Sequence, residues 1–173
     1  MFNINNIDKK IRYIMTVLFW LLAVIWAISI ISFSSDPAHV SKEKSGLILE
    51  KIEPFVERII EEYDIKFIDL DDLHFYIRKS AHVFIYFLLS VFMCLGWKAV
   101  RTRGLRPYYI TWVMATVFSI IDEIYQVFIP GRSGEVRDVF LDNAGIVLGL
   151  LFVAFGIFLF KKLRRRLKKL RKN

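Results

Sequence analysis

Four long apolar segments, residues 14–33, 81–97, 108–129 and 139–160, restrict this chain more than any other feature. A helix needs about 20 mostly apolar residues to cross a bilayer core. In hydrocarbon each segment must satisfy its own backbone N–H and C=O groups, so such segments form helices. A chain of 173 residues that is 55% hydrophobic carries more apolar surface than a soluble domain of that size needs. The expected fold is all-α and polytopic: a bundle of four transmembrane helices forming one domain over residues 1–173. The first segment is too long for the core of a cleaved signal peptide, about 7 to 15 residues, and no small-x-small site follows it.

Lys and Arg in the short flanks set the orientation. Lys9, Lys10 and Arg12 precede the first segment, and Lys98, Arg101, Arg103 and Arg106 separate the second from the third. The run KKLRRRLKKLRK follows the fourth, while the loop 34–79 has more acids than bases. Both termini are therefore expected in the cytoplasm and the loop 34–79 outside. The net charge of +8 then reflects topology and a basic tail, 161–173, drawn to anionic lipid. Membrane lipids are the expected partners. No nucleic acid is expected, because no binding module accompanies the tail. Cys94 stands alone, so neither a disulfide framework nor a cysteine metal site is expected.

Within the outer loop the pattern from Ser41 predicts an amphipathic helix, with Leu49, Ile52, Val56, Ile59 and Ile60 near one face and Pro54 as a kink. It would lie on the bilayer interface or cap the bundle. Asp69 or Asp71 could cap a further turn, and Pro107 suits the first turn of the third span.

Polar residues inside the spans recur at helical spacing. Ala115, Ser119, Asp122 and Gln126 form one stripe; Asp138, Asp142, Gly145 and Gly149 another; Arg78, His82, Tyr86, Ser90 and Cys94 an approximate third. Small residues let helices approach closely in lipid, so these stripes should face one another. An ionisable side chain at the middle of a span costs roughly 2.5 to 3.5 kcal/mol and usually faces a partner or cavity. The topology brings the acids and His82 to one polar pocket in the outer leaflet.

Four readings of that pocket compete. His82 with Asp122 or Glu123 could perform general acid/base work on a lipid-linked phosphate or ester. Asp138 and Asp142, aided by Asn143 or Glu123, could bind a divalent metal such as Mg²⁺, the one cofactor the pattern admits. Arg78, Arg132 and Arg137 could recognise an anionic headgroup, with Lys79, Tyr86, Gln126 and Asn143 completing the ligand-binding set. The acids could also pair with Arg78, Lys79, Arg132 and Arg137 as a structural lattice that binds nothing.

The elements SFSSDP, RKSAHVFIYFLLS, DEIYQVFIPGR and GEVRDVFLDNAGIVLG, in that order between Ser32 and Gly149, resemble the VanZ-like family of membrane proteins. The resemblance implies a multi-pass protein of the bacterial cell envelope, associated with resistance to the glycopeptide teicoplanin. It points to Lys79, His82, Tyr86, Asp122, Glu123, Gln126, Arg132, Asp138, Asp142 and Asn143. Tyr125 stands where many relatives carry His, which removes one candidate proton carrier. Gly134, Asp138 and Asp142 also resemble the last part of the CDP-alcohol phosphotransferase motif, whose first half is absent. The expected function is binding of a lipid-linked wall precursor, a phospholipid headgroup or the glycopeptide. Binding is favoured over catalysis because no nucleophile elbow, phosphate loop or closed metal-ligand set is present.

Overall fold

The computed structural model describes residues 4–62 and 70–170. Five helices follow one another: α1 (Ile4–Ser34), α2 (Ala38–Glu62), α3 (Leu70–Ala99), α4 (Arg106–Gln126) and α5 (Val136–Leu170). No strand occurs among the described residues. Three stretches, Lys9–Ser34, Lys79–Ala99 and Val136–Leu170, are long and apolar enough to cross a membrane. The chain is thus built as a multi-pass membrane protein.

The expected third span, 108–129, is not among those three. It is the helix α4, which ends at Gln126 rather than at Pro130. From Val127 to Ile129 each N–H bonds the carbonyl three residues back, a tighter turn that closes the helix early. Thr111, Ser119, Asp122, Glu123 and Gln126 lower the average apolarity of α4, yet all five are buried. Its outward face is Trp112, Val113, Val117, Ile121 and Ile124, all exposed. Averaging over both faces hides this division. Pro107 does sit in the first turn of α4, where its missing N–H costs nothing.

Side-chain contacts fix the helix directions. Trp26 of α1 donates its indole N–H to the Ile85 carbonyl of α3 at 2.8 Å, and Trp20 packs edge-on against Trp97 at 5.3 Å. As α1 descends in number α3 ascends, so the two run antiparallel. His82 meets Asp142, and further along Ser90 donates to the Ile146 carbonyl at 3.2 Å, so α3 and α5 run parallel. Ser119 meets Asp142 and Thr116 meets Asn143, so α4 runs against α5. The ends of α1 and α4 therefore lie beside the beginnings of α3 and α5.

Helix α3 is central and touches each of the other four. Its closest approach is to α5, where Gly145 and Gly149 leave room for backbone. A Cβ on Gly145 would run into the Val83 carbonyl, and one on Gly149 into the Ser90 hydroxyl. Helices in lipid associate through this kind of small-residue packing rather than through hydrophobic burial. The apolar core is Ala23, Ile30, Tyr86, Leu89, Met93, Ala115 and Ile146. Leu21, Val24, Ile28, Leu151, Phe152 and Phe155 are exposed, a surface suited to hydrocarbon and not to water.

Helix α2 forms where an outer helix was expected, beginning at Ala38 rather than Ser41 and containing Pro54. The Ala38 N–H donates to the Pro130 carbonyl at 3.2 Å, tying its start to the α4–α5 loop. The side chains of Leu49, Ile52, Val56, Ile59 and Ile60 lie outside the described residues, as do Asp69 and the side chain of Asp71. The basic run expected as a separate tail from residue 161 continues α5 to Leu170.

Candidate functional site

All three stripes read from the sequence turn inward, apart from Arg78, whose side chain lies outside the described residues. On α4, Ala115, Ser119, Asp122 and Gln126 are buried; on α5, Asp138, Asp142, Gly145 and Gly149; on α3, His82, Tyr86, Ser90 and Cys94. Of these, His82, Asp122, Gln126, Asp138 and Asp142 lie where α3 and α5 begin and α4 ends.

Asp142 is the most enclosed of the acids, with no exposed surface. Its Oδ1 lies 3.2 Å from His82 Nδ1, and its Oδ2 accepts the Ser119 hydroxyl at 2.7 Å. Asp122 is 3% exposed. Its Oδ2 accepts from Ser34 at 2.9 Å, Gln126 at 3.3 Å and Tyr86 at 3.4 Å. Its other oxygen, Oδ1, is buried without a hydrogen-bond partner. Trp97 Nε1 and Thr111 Oγ1, away from the cluster, are also buried without a partner; such atoms are few in a folded protein and are commonly met by a water, an ion or a ligand.

Glu123 accepts from Gln126 Nε2 at 3.2 Å and from the Glu135 backbone N–H at 2.9 Å. One amide thus joins the two neighbouring acids. Gln126 completes its bonding by accepting from Arg132 at 2.9 Å. Arg132 also donates to the Asp36 carbonyl at 2.9 Å and the Phe33 carbonyl at 3.1 Å. It therefore straps the α4–α5 loop to the end of α1, using a planar guanidinium that reaches several acceptors at once.

A second group lies beside this cluster. The Lys79 ammonium is buried, bonded to Asp138 and, at 3.2 Å, to Glu135. It also lies 5.3 Å from the Phe75 ring centre, and Arg137 lies 5.6 Å from the same ring. Asp138 is thus committed to Lys79, apart from Asp142, with which it was expected to share a metal. The His82, Glu123 and Asp142 side chains instead lie together, each offering a ligating atom within 4.8 Å of the others. Asn143 faces α4 and accepts from Thr116 at 2.7 Å, away from the acids. Tyr125 is exposed, its hydroxyl 3.1 Å from that of Ser35.

Two contributors were not singled out as site residues. Ser119 was visible in the stripe of α4, but only the packing of α4 on α5 shows that it serves Asp142. Ser34 lies in the SFSSDP element, and nothing local reveals a bond across 88 positions to Asp122.

Just inward of the cluster, α1, α3 and α4 leave an apolar groove of about 170 Å³, lined by Trp20, Ala23, Ala27, Leu89, Met93 and Phe118 among others. Phe118 packs on Tyr86, ring centres 6.2 Å apart, and Tyr86 bonds Asp122. Groove and cluster are thus linked through these two rings, which lie between them.

The VanZ/LLP1 family model matches residues 19–161. The chain belongs to the VanZ/LLP1 family. The match takes in Ser34, Lys79, His82, Asp122, Glu123 and Asp142, so both polar groups fall inside the VanZ/LLP1 region. No curated protein and no solved structure matches the chain.

Proposed function

We propose that this VanZ/LLP1 protein is a four-span protein of the bacterial cell membrane that binds an amphiphilic envelope component, its polar part at the acid–histidine cluster and its chain in the adjoining groove. The nearness of groove and cluster, linked by the Phe118–Tyr86 ring contact and the Tyr86–Asp122 hydrogen bond, carries the reading, because it repeats the order of headgroup and chain in a lipid. The parallel directions of α3 and α5 support the span count. If both cross the bilayer the same way, the chain must return between them, and α4 is the helix between them. The basic flanks then favour both termini in the cytoplasm, which would put the cluster in the outer leaflet.

The component is a lipid-linked wall precursor, a phospholipid or a glycopeptide, and the family resemblance associates the protein with tolerance of teicoplanin. Polar side chains buried in a bundle are seldom the most stable choice, which favours a ligand over a lattice. The Lys79–Asp138–Glu135 group does fit the lattice reading. A second reading, catalysis on a lipid-linked phosphate or ester, draws on the His82–Asp142 pair, where a carboxylate orients an imidazole as in general-base sites.

Native mass spectrometry of protein released from gentle detergent tests the binding. Wild-type protein should carry a defined lipid or precursor mass, and Asp122→Asn at matched membrane levels should lose it. Equal occupancy by bulk phospholipid in both would refute the reading.

A further inference from the structure

We infer that His82, Glu123 and Asp142 form a divalent transition-metal site inside the bundle, a different ligand set from the Asp138–Asp142 pair that the sequence suggests. The inference rests on the geometry of the cluster and not on the identity of any lipid.

The three side chains come from α3, α4 and α5, all buried, and offer an imidazole nitrogen and two carboxylate oxygens within 4.8 Å of one another. Donors bound to one ion at about 2.1 Å lie no more than about 4.2 Å apart, so a contraction on the order of an ångström closes the set. Three helices that already touch can supply this by side-chain rotation. The His82 Nδ1 to Asp142 Oδ1 distance of 3.2 Å already suits adjacent ligands of one ion.

The surroundings are those of ligating groups. Metal-binding carboxylates are themselves held by outer hydrogen bonds that fix their direction. Here Ser119 holds the far oxygen of Asp142, while Gln126 and the Glu135 backbone N–H hold Glu123. An independent sign is the buried, unpartnered Oδ1 of Asp122, the neighbour that shares the Gln126 amide with Glu123. Charge points the same way, since burying carboxylates is costly and a dication offsets both Glu123 and Asp142.

A mixed imidazole and carboxylate set suits Zn²⁺ or Mn²⁺ better than Mg²⁺, with Zn²⁺ held more tightly than Mn²⁺. Three protein ligands leave a position for an added oxygen. A phosphate or carboxylate on an amphiphile would fit there, which explains how a cluster of acids could recognise an anion.

The test uses full-length protein stripped of metal with a chelator and of lipid with detergent, titrated with Zn²⁺, Mn²⁺ and Mg²⁺. Wild-type protein should bind one Zn²⁺ per chain, with Mn²⁺ weaker and Mg²⁺ weakest. Glu123→Gln and Asp142→Asn should each weaken Zn²⁺ at least tenfold. Failure of wild-type protein to bind any of the three, or unchanged Zn²⁺ affinity in Glu123→Gln, would overturn the site. Should a variant not fold, Co²⁺ added to wild-type protein decides instead. Intense visible bands of a low-coordinate nitrogen and oxygen site, bleached by Zn²⁺, support the inference; the weak spectrum of hydrated Co²⁺ refutes it. Metal is read on lipid-free protein and lipid by mass spectrometry, so failure of this site and failure of the lipid reading are seen separately.

Discussion

Where α1 and α4 end and α3 and α5 begin, the buried side chains include Lys79, His82, Asp122, Glu123, Gln126, Asp138 and Asp142. Further along the same helices they are mostly apolar, among them Leu89, Met93, Cys94, Ala115 and Val153 with Trp20 closing on Trp97, although Ser90 and Thr111 are buried there too and Thr111 Oγ1 and Trp97 Nε1 lack partners. The outward surfaces of the two regions do not differ in this way: Ile28 and Ile121 near the polar end are as apolar as Leu21 and Phe155 beyond it. Only the interior changes. The apolar half needs shape complementarity and tolerates any well-fitting set of side chains. The polar end must partner each donor and acceptor, because an unmet one costs about 1 to 3 kcal/mol. One oxygen there, Asp122 Oδ1, remains unmet. Apolar residues at that end would have removed this demand.

The largest effect is expected at the seam between the regions. Gly145→Leu would drive a side chain into the Val83 backbone and force α3 from α5. A loss of about 3 kcal/mol or more is expected, read as a shifted unfolding midpoint in mixed detergent titrations. Wild-type stability in this variant would mean that α3 and α5 do not approach as described.

A paired comparison sharpens the contrast. Ile146→Ala, in the apolar core, should cost about 2 to 4 kcal/mol and leave ligand retention intact in the protein that remains folded. Asp142→Asn preserves size and the Ser119 contact, so it should cost only about 1 to 2 kcal/mol yet abolish retention. If both variants lost stability and retention in the same proportion, the polar end would be scaffold and the comparison would collapse.

The mildest perturbation asks which end faces out. Single cysteines at Ser133 and Arg103, both exposed, should change stability by less than about 0.5 kcal/mol relative to the Cys94→Ala background in which they are made. The Ser133 site should react with an impermeant thiol reagent in intact cells and the Arg103 site only after lysis. The opposite pattern would move the polar end to the cytoplasmic leaflet.

Much of this arrangement was legible in the linear chain because helix periodicity is a local property. The stripes of α3, α4 and α5 could be read from spacing alone, and the side chains described turn inward as that spacing requires. Three of the four apolar segments correspond to stretches able to cross a membrane. Segment 108–129 was identified as apolar by its outward face, while its mean is lowered by buried polar residues that packing conceals.

The sequence by itself determined helicity, the membrane setting and the inward faces, since each depends on side chains within a few turns of one another. It could not decide which acid meets which partner. Asp138 and Asp142 are one helical turn apart and chemically identical, yet Lys79 of α3 captures the first and His82, one turn further along, captures the second. That assignment follows from the register of α3 against α5, set by how closely Gly145 and Gly149 let the two backbones approach. The bond from Ser34 to Asp122 and the meeting of Glu123 with His82 likewise needed the antiparallel placement of α4. Register between helices distant in sequence is a tertiary property, and it turned a set of stripes into a site.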